Sequence, residues 1–174
     1  MSTRAMIHVT DQWGTVKLYH HYDGYPEGLG SWIFRFFRYC RDANDIHEFD
    51  LSNYPQFWTG EMIAARLLVW LAAHNHDGIG TTSPLAFDCP GVASEDHGDA
   101  EYTYTINCSK ADEFGYPVVS VSSKQFDLDG IRLDRIRRYV YTNDDPRDPW
   151  SGIMGACVGV QPRAEGDSDD PTGT

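Results

Sequence analysis

Cations are in short supply in this chain. Fourteen Lys and Arg stand against 26 Asp and Glu, a formal charge of −12 at neutral pH. That balance repels nucleic acid phosphates, so direct DNA or RNA binding is disfavoured unless a local basic patch overrides it. Cysteine is sparse too. Cys40, Cys89, Cys108 and Cys157 are scattered, with no C-x-x-C pair, and a cytosolic setting would keep them reduced. Cys40 falls on an apolar helical stripe and is expected in the core, whereas Cys89, beside a proline, is the expected exposed thiol. Long apolar runs are missing: none reaches the roughly 18 residues of a membrane span. Residues 1–10 read as a polar start and a strand, not a signal peptide, so a soluble, intracellular protein is expected. A Walker loop, a G-x-S-x-G elbow, a zinc-protease signature and internal repeats are all missing, so no motif announces a catalytic class. His74, His76 and Asp77 lack the spacing of a strong metal motif, and a His near a helix C-terminus is expected on electrostatic grounds. Neither a metal nor a cofactor is expected.

Aromatic and apolar residues, by contrast, fall in readable patterns. At 174 residues with 13% aromatics, the chain can bury a core without disulfide or metal staples. Residues 1–162 read as one α+β domain. Residues 163–174 are acidic, contain Gly and Pro, and read as a disordered tail. Ala5 to Val9 and Thr15 to Tyr19 alternate as a hairpin around an Asp11-Gln12-Trp13-Gly14 loop. Leu29, Trp32, Ile33, Phe36, Phe37 and Cys40 recur at helical spacing and predict a first helix over about 26–41. Arg35, Arg38 and Arg41 lie on a different face of it, as a solvated surface or as a ridge for an anion or partner. Thr59 is a good N-cap for a second helix, Gly60 to about His74. That helix is apolar nearly all round, so deep burial is the default.

Gly78 to Asp99 shows no period and reads as a long loop, either a cover or a lid. Glu101–Cys108 and Tyr116–Ser122 alternate as two further antiparallel strands. Ile131 to Arg138 predicts a short helix in which Arg132, Arg135, Arg137 and Arg138 concentrate positive charge, tempered by Asp127, Asp129 and Asp134. The expected architecture is therefore α+β: a four-stranded antiparallel sheet, two main helices packed on one face, and the long loop after the second helix.

The chain turns from hairpin to helix through His20-His21-Tyr22-Asp23-Gly24-Tyr25-Pro26-Glu27-Gly28. Asp23-Gly24 is turn chemistry. Pro26 suits the first helical position, and Glu27 places negative charge in the first turn. Gly28 and Gly30 are poor helix formers, which suggests a close approach to the backbone there. In strand geometry His21 and Asp23 point to the same side. A carboxylate beside an imidazole fixes its tautomer and raises its basicity. This stretch is therefore either a small site, with His21 as base, Asp23 as orienter, and Arg4, Tyr25, Glu27 and Gly28 binding an anion or ligand, or a structural corner capped by Asp23. Arg4 could reach Asp23 across the hairpin end or lie in solvent.

The opening Ser2-Thr3-Arg4-Ala5-Met6-Ile7 and the later His21-Tyr22-Asp23-Gly24-Tyr25-Pro26 resemble a family of small uncharacterised bacteriophage and prophage proteins. Members of that family typically read Ser-Thr-Arg-Ala-Thr-Ile and His-Trp-Asp-Gly-Tyr-Pro. Met6 and Tyr22 are mild departures, and the likeness covers about the first 40 residues. A fainter likeness falls at Gly98-Asp99-Ala100-Glu101-Tyr102-Thr103-Tyr104. The resemblance implies a viral origin and a place in the host cytoplasm, and carries no settled activity.

Three functions follow as expectations. The first is a phage accessory protein that binds and inhibits a host protein, such as a defence or nucleic-acid-handling complex, through an acidic surface. The second is a small hydrolase or transferase acting on an anionic small molecule through His21 and Asp23. The third is a nucleotide or anion binding module at the helix start around Pro26 to Gly28.

Overall fold

The computed structural model describes residues 3–43, 59–74, 90–123 and 129–142. Expectations for the tail at 163–174, the domain limit at 162, the first part of the long loop, the His76/Asp77 alternative, Cys89 and Cys157 lie outside these residues. The described elements are β1 (Ala5–Thr10), β2 (Thr15–His20), a π-helical turn (Pro26–Gly30), α1 (Ser31–Ala43), α2 (Gly60–His74), β3 (Gly91–Ala93), β4 (Tyr102–Ala111), β5 (Pro117–Ser123) and α3 (Asp129–Thr142). The fold is α+β, as the periodicities require.

The sheet corrects the expectation of four antiparallel strands. It has five, ordered β3-β2-β1-β4-β5, and β1 runs parallel to β4, with Ile7 opposite Tyr104. Alternation marks β4 as a strand but says nothing of its direction. The direction depends on where the chain re-enters the sheet after α1 and α2. β3, three residues against β2, was missed because it is short and its Val92 is 73% exposed. Too few residues alternate there to show a period.

One core joins all three helices to a single face of the sheet. Ile7 and Val9 of β1 and Tyr104 and Ile106 of β4 meet Ile33 and Phe37 of α1, Ile63 and Leu67 of α2, and Leu133 and Ile136 of α3. α1 begins later than expected, because Pro26–Gly30 winds as a π turn and leaves Ser31 to open the α-helix. α2 matches its predicted span. It is less enclosed than its composition suggests: Leu67 and Leu71 are buried, but Val69 is 69% exposed.

α3 is a full third helix and runs on to Thr142, well past the expected end at Arg138. Tyr139-Val140-Tyr141 leans toward strand by propensity, but tertiary packing overrides that preference. Tyr141 stacks on Tyr116 at 4.1 Å, and Arg38 donates to the Val140 carbonyl at 2.8 Å. The arginines of α1 accordingly serve the fold. Besides Arg38, Arg35 lies over Trp32 and Arg41 over Tyr116, each at 5.0 Å.

The hairpin loop does more than turn the chain. The Asp11 carboxylate accepts N–H bonds from Trp13 at 2.8 Å and Gly14 at 3.0 Å, and its second oxygen accepts Gly60 N–H at 2.7 Å. One side chain thus closes the turn and shares the capping of α2 with Thr59, whose Oγ1 accepts Met62 N–H at 3.4 Å. Partial burial pushes the Asp11 acid up, but the three amide donors outweigh it and hold the group below its ordinary value of 3.8. A depressed carboxylate stabilises the fold above that ordinary value and loses its contribution as pH falls through the lowered one. Asp11→Ala should therefore cost about 1–2 kcal/mol at pH 7, a cap-sized loss. The gap to wild type should narrow in urea titrations toward pH 3. A constant gap across that range would separate the effect from ionisation.

Candidate functional site

The corner divides its chemistry between an outer and an inner cluster. Asp23 is exposed and adopts a φ of 51°, a left-handed conformation that Asp tolerates. Its carbonyl accepts Leu29 N–H at 2.9 Å. Gly24 is required for space rather than for φ, since a Cβ there would lie 2.8 Å from the Ala5 Cβ and 3.0 Å from the Thr3 carbonyl oxygen. Gly24 donates its N–H to Thr3 at 2.9 Å, and its carbonyl accepts the buried Tyr104 hydroxyl at 2.8 Å. The corner is thereby tied to both β1 and β4.

The outer cluster lies on the sheet face away from the helices. A strap over 94–101 crosses the hairpin and is pinned to it. Asp96 pairs with His8 at 2.6 Å and Lys17 at 3.2 Å, and Asp99 pairs with Arg4 at 2.8 Å. The Arg4 partner is thus Asp99, where the sequence left Arg4 open between Asp23 and solvent. The Arg4 carbonyl also accepts Glu101 N–H at 2.9 Å. His97 stacks on Tyr19 at 4.1 Å, and the Tyr19 hydroxyl donates to Asp99 at 3.3 Å. Burial, followed by the Asp99 charge, pushes the Tyr19 phenol up against the opposing pull of Arg4, which keeps it protonated. His21 meets this group through Nδ1, 3.4 Å from the Tyr19 oxygen, and packs edge-on to Tyr22 at 4.5 Å. His8 and Lys17 hold Asp96 below the usual carboxylate range.

The inner cluster sits beneath the π turn. Glu27, a predicted ligand-binding residue, is 5% exposed, and Asp129 is 1% exposed. Arg132 reaches Glu27 through Nε at 2.8 Å and Asp129 at 3.0 Å. One oxygen of each carboxylate, Glu27 Oε2 and Asp129 Oδ2, has no hydrogen-bond partner among the described residues. Gly28 donates to the Tyr25 carbonyl at 3.0 Å. The whole turn from Pro26 to Gly30 is buried. An anion at this helix start would meet a buried carboxylate and amides already engaged, so the geometry argues against the anion-binding role expected of Glu27 and Gly28. Tyr25 is half-buried and packs against the core.

The structure therefore brings Arg4 and His21 together through Tyr19 and Asp99, and places Glu27 in a separate, closed ion pair. Sequence reasoning missed His97, Asp99 and Asp129 as partners. Asp99 lay within the Gly98–Tyr104 stretch already marked by resemblance. For Arg132 pairing with Glu27, 105 positions apart, no local signal existed. The two cysteines among the described residues are poor nucleophiles: burial pushes the Cys40 thiol to about 11 and the Cys108 thiol to about 12, so both stay protonated at neutral pH. Among the described residues no group of three or more His, Cys, Asp or Glu is arranged to hold a metal, and no helix is long and apolar enough to cross a membrane.

The class defined by fold and site is an α+β protein with a mixed five-stranded sheet, helices on one face and an ion-paired strap on the other. No family model, curated protein or solved structure matches the chain.

Proposed function

We propose that this protein is a partner-binding accessory protein, of the phage type its N-terminal motifs resemble, that docks its acidic surface on a basic face of a host protein and inhibits it. A defence or nucleic-acid-handling complex is the kind of host target that fits, because such complexes expose basic surface. The observation that carries the reading is the fate of the arginine cluster in α3. Arg132 is neutralised by Glu27 and Asp129; Arg137 by Asp112, Glu113 and Asp134; Arg138 by Asp134 and Glu113. Three of the four arginines of α3 are thus paired with carboxylates, Arg138 in a pair that leaves it 58% exposed, and Arg135 is exposed. The positive concentration is largely offset by neighbouring acids, which weighs against nucleic acid as the direct ligand.

The remaining imbalance is acidic and unevenly placed. Within the described residues 13 Asp and Glu face 11 Lys and Arg, while the other segments carry 13 acids and three bases. Charge of this kind steers association with a basic protein and makes it salt-sensitive.

The test is capture of partners by the tagged full chain from host cells at low salt, with identification by mass spectrometry and reassembly from purified components. A defined basic partner, lost as salt rises and lost on Asp/Glu→Lys changes in 144–170, is the expected result. Failure to retain any partner at low salt, or binding indifferent to both salt and charge reversal, would overturn the reading.

A further inference from the structure

A groove lies between the hairpin loop and the first turn of α2, away from both clusters of the corner. It encloses about 420 Å³ and is lined by Val9, Asp11, Trp13, Val16, Thr59 and Glu61 among others. Its floor is apolar: Val9 is fully buried and Val16 packs against the core. Trp13 stands beside it with 70% of its surface exposed. Tryptophan is enriched among the residues that anchor protein contacts, and an open indole face beside a groove offers such an anchor.

The rim is negative. Asp11 is held ionised by its three amide donors, and Glu61 is exposed beside it. Among the described residues no Lys or Arg lines the groove. The start of α2 offers little to an anion. Gly60 N–H is bonded to Asp11, Met62 N–H to the Thr59 hydroxyl, and Ile63 N–H to the Thr59 carbonyl at 3.0 Å. What complements an apolar floor, an open indole face and two carboxylates is a side chain with a hydrocarbon stem and a cationic tip.

We propose that this groove is the socket for an arginine or lysine side chain of the basic partner protein, a proposal that rests on the docking function above. The cation lies over Trp13 with its tip toward Glu61, and its stem covers Val16. Arginine is favoured, because its planar, weakly hydrated guanidinium stacks on an indole better than an ammonium does.

The test titrates the full chain at low salt with a blocked peptide carrying two arginines, followed through indole and amide N–H resonances, with Trp13→Phe assigning the Trp13 signal. The expected result is movement of the Trp13 indole and of amides 11–16 and 60–61. A citrulline twin of the peptide should bind at least about tenfold more weakly. Glu61→Lys, on an exposed side chain in the first turn of α2, should lose the response while the melting temperature falls by no more than about 2–4 °C, the cost of reversing a charge at a helix start. No response, movement confined to other residues, an equal response to the citrulline twin or to inorganic phosphate, or an unaltered Glu61→Lys titration each overturns the assignment. Partner capture repeated with Trp13→Ala and Glu61→Lys separates the two levels. Undiminished capture by both variants sinks the groove and leaves the docking function standing, whereas no capture by the wild-type chain sinks the docking function itself.

Discussion

Replacing Gly28 by alanine should cost this fold about 3 kcal/mol or more, the range of severe overpacking. A Cβ at that position would lie 2.3 Å from the Asp23 carbonyl oxygen and 3.2 Å from its carbonyl carbon. Both obstacles are backbone, so no rotamer change relieves them. The same carbonyl accepts Leu29 N–H, and moving it away breaks the bond that fastens the turn to the helix start. For a chain of this length the melting temperature should fall by about 10 °C. Urea denaturation gives the free-energy loss directly, and an unchanged slope would show that both end states keep their compactness. Gly130→Ala is the matched control. It lies in α3 with nothing within 4 Å of its added Cβ, and alanine is the better helix former. It should be neutral or slightly stabilising, and a Gly28→Ala protein as stable as this control would refute the close-approach account.

Arg132→Ala should be nearly as damaging, for an electrostatic reason. The side chains of Glu27 and Asp129 are 6% and 2% exposed, while that of Arg132 is 40% exposed. Among the described residues, removing the cation leaves two buried carboxylates without a counter-charge, and each already has an oxygen lacking a partner there. Breaking a buried pair in this way costs about 3–5 kcal/mol, and the open side of Arg132 places the expected loss near the lower figure. Combining Arg132→Met with Glu27→Gln and Asp129→Asn should recover much of the loss, since neutral amides need no counter-ion. Arg138→Ala should change stability little, because its partners Asp134 and Glu113 are half-exposed and surface pairs contribute weakly. Chemical denaturation of the single and combined variants decides the matter. An Arg132→Ala protein as stable as the Arg138→Ala one would show that the inner cluster is not held by charge.

The two substitutions show where sequence reasoning reached and where it stopped. Gly28 was suspect from the sequence because glycine is a poor choice at a helix start, and the structure supplies the object it must avoid. Arg132 was visible only as one of four arginines in a short segment, and its service to Glu27 depends on α3 packing under the π turn. The same limit applies to the corner. Asp23-Gly24 was legible as a turn, and the positive φ proves to belong to Asp23 while Gly24 makes room for Ala5. From the sequence Arg4 either reaches Asp23 or lies in solvent; its actual acid, Asp99, comes from a strap that follows two helices in the chain. Asp11 read as an ordinary loop residue, because its bond to Gly60 spans 49 positions.

By itself the sequence determined what depends on near neighbours. That includes the alternation of β1, β2, β4 and β5, the apolar stripe of α1, the Thr59 start of α2, the turn residues, the charge deficit and the missing motifs. Each is a consequence of side-chain periodicity or local backbone preference, effects that span a few residues. Tertiary structure alone decided the parallel pairing of β1 with β4, the short β3, the length of α3 and the partners of Arg4, Glu27 and Arg132. These choices are made by burial and Coulomb attraction between segments tens of residues apart, and no local pattern records which distant segment arrives.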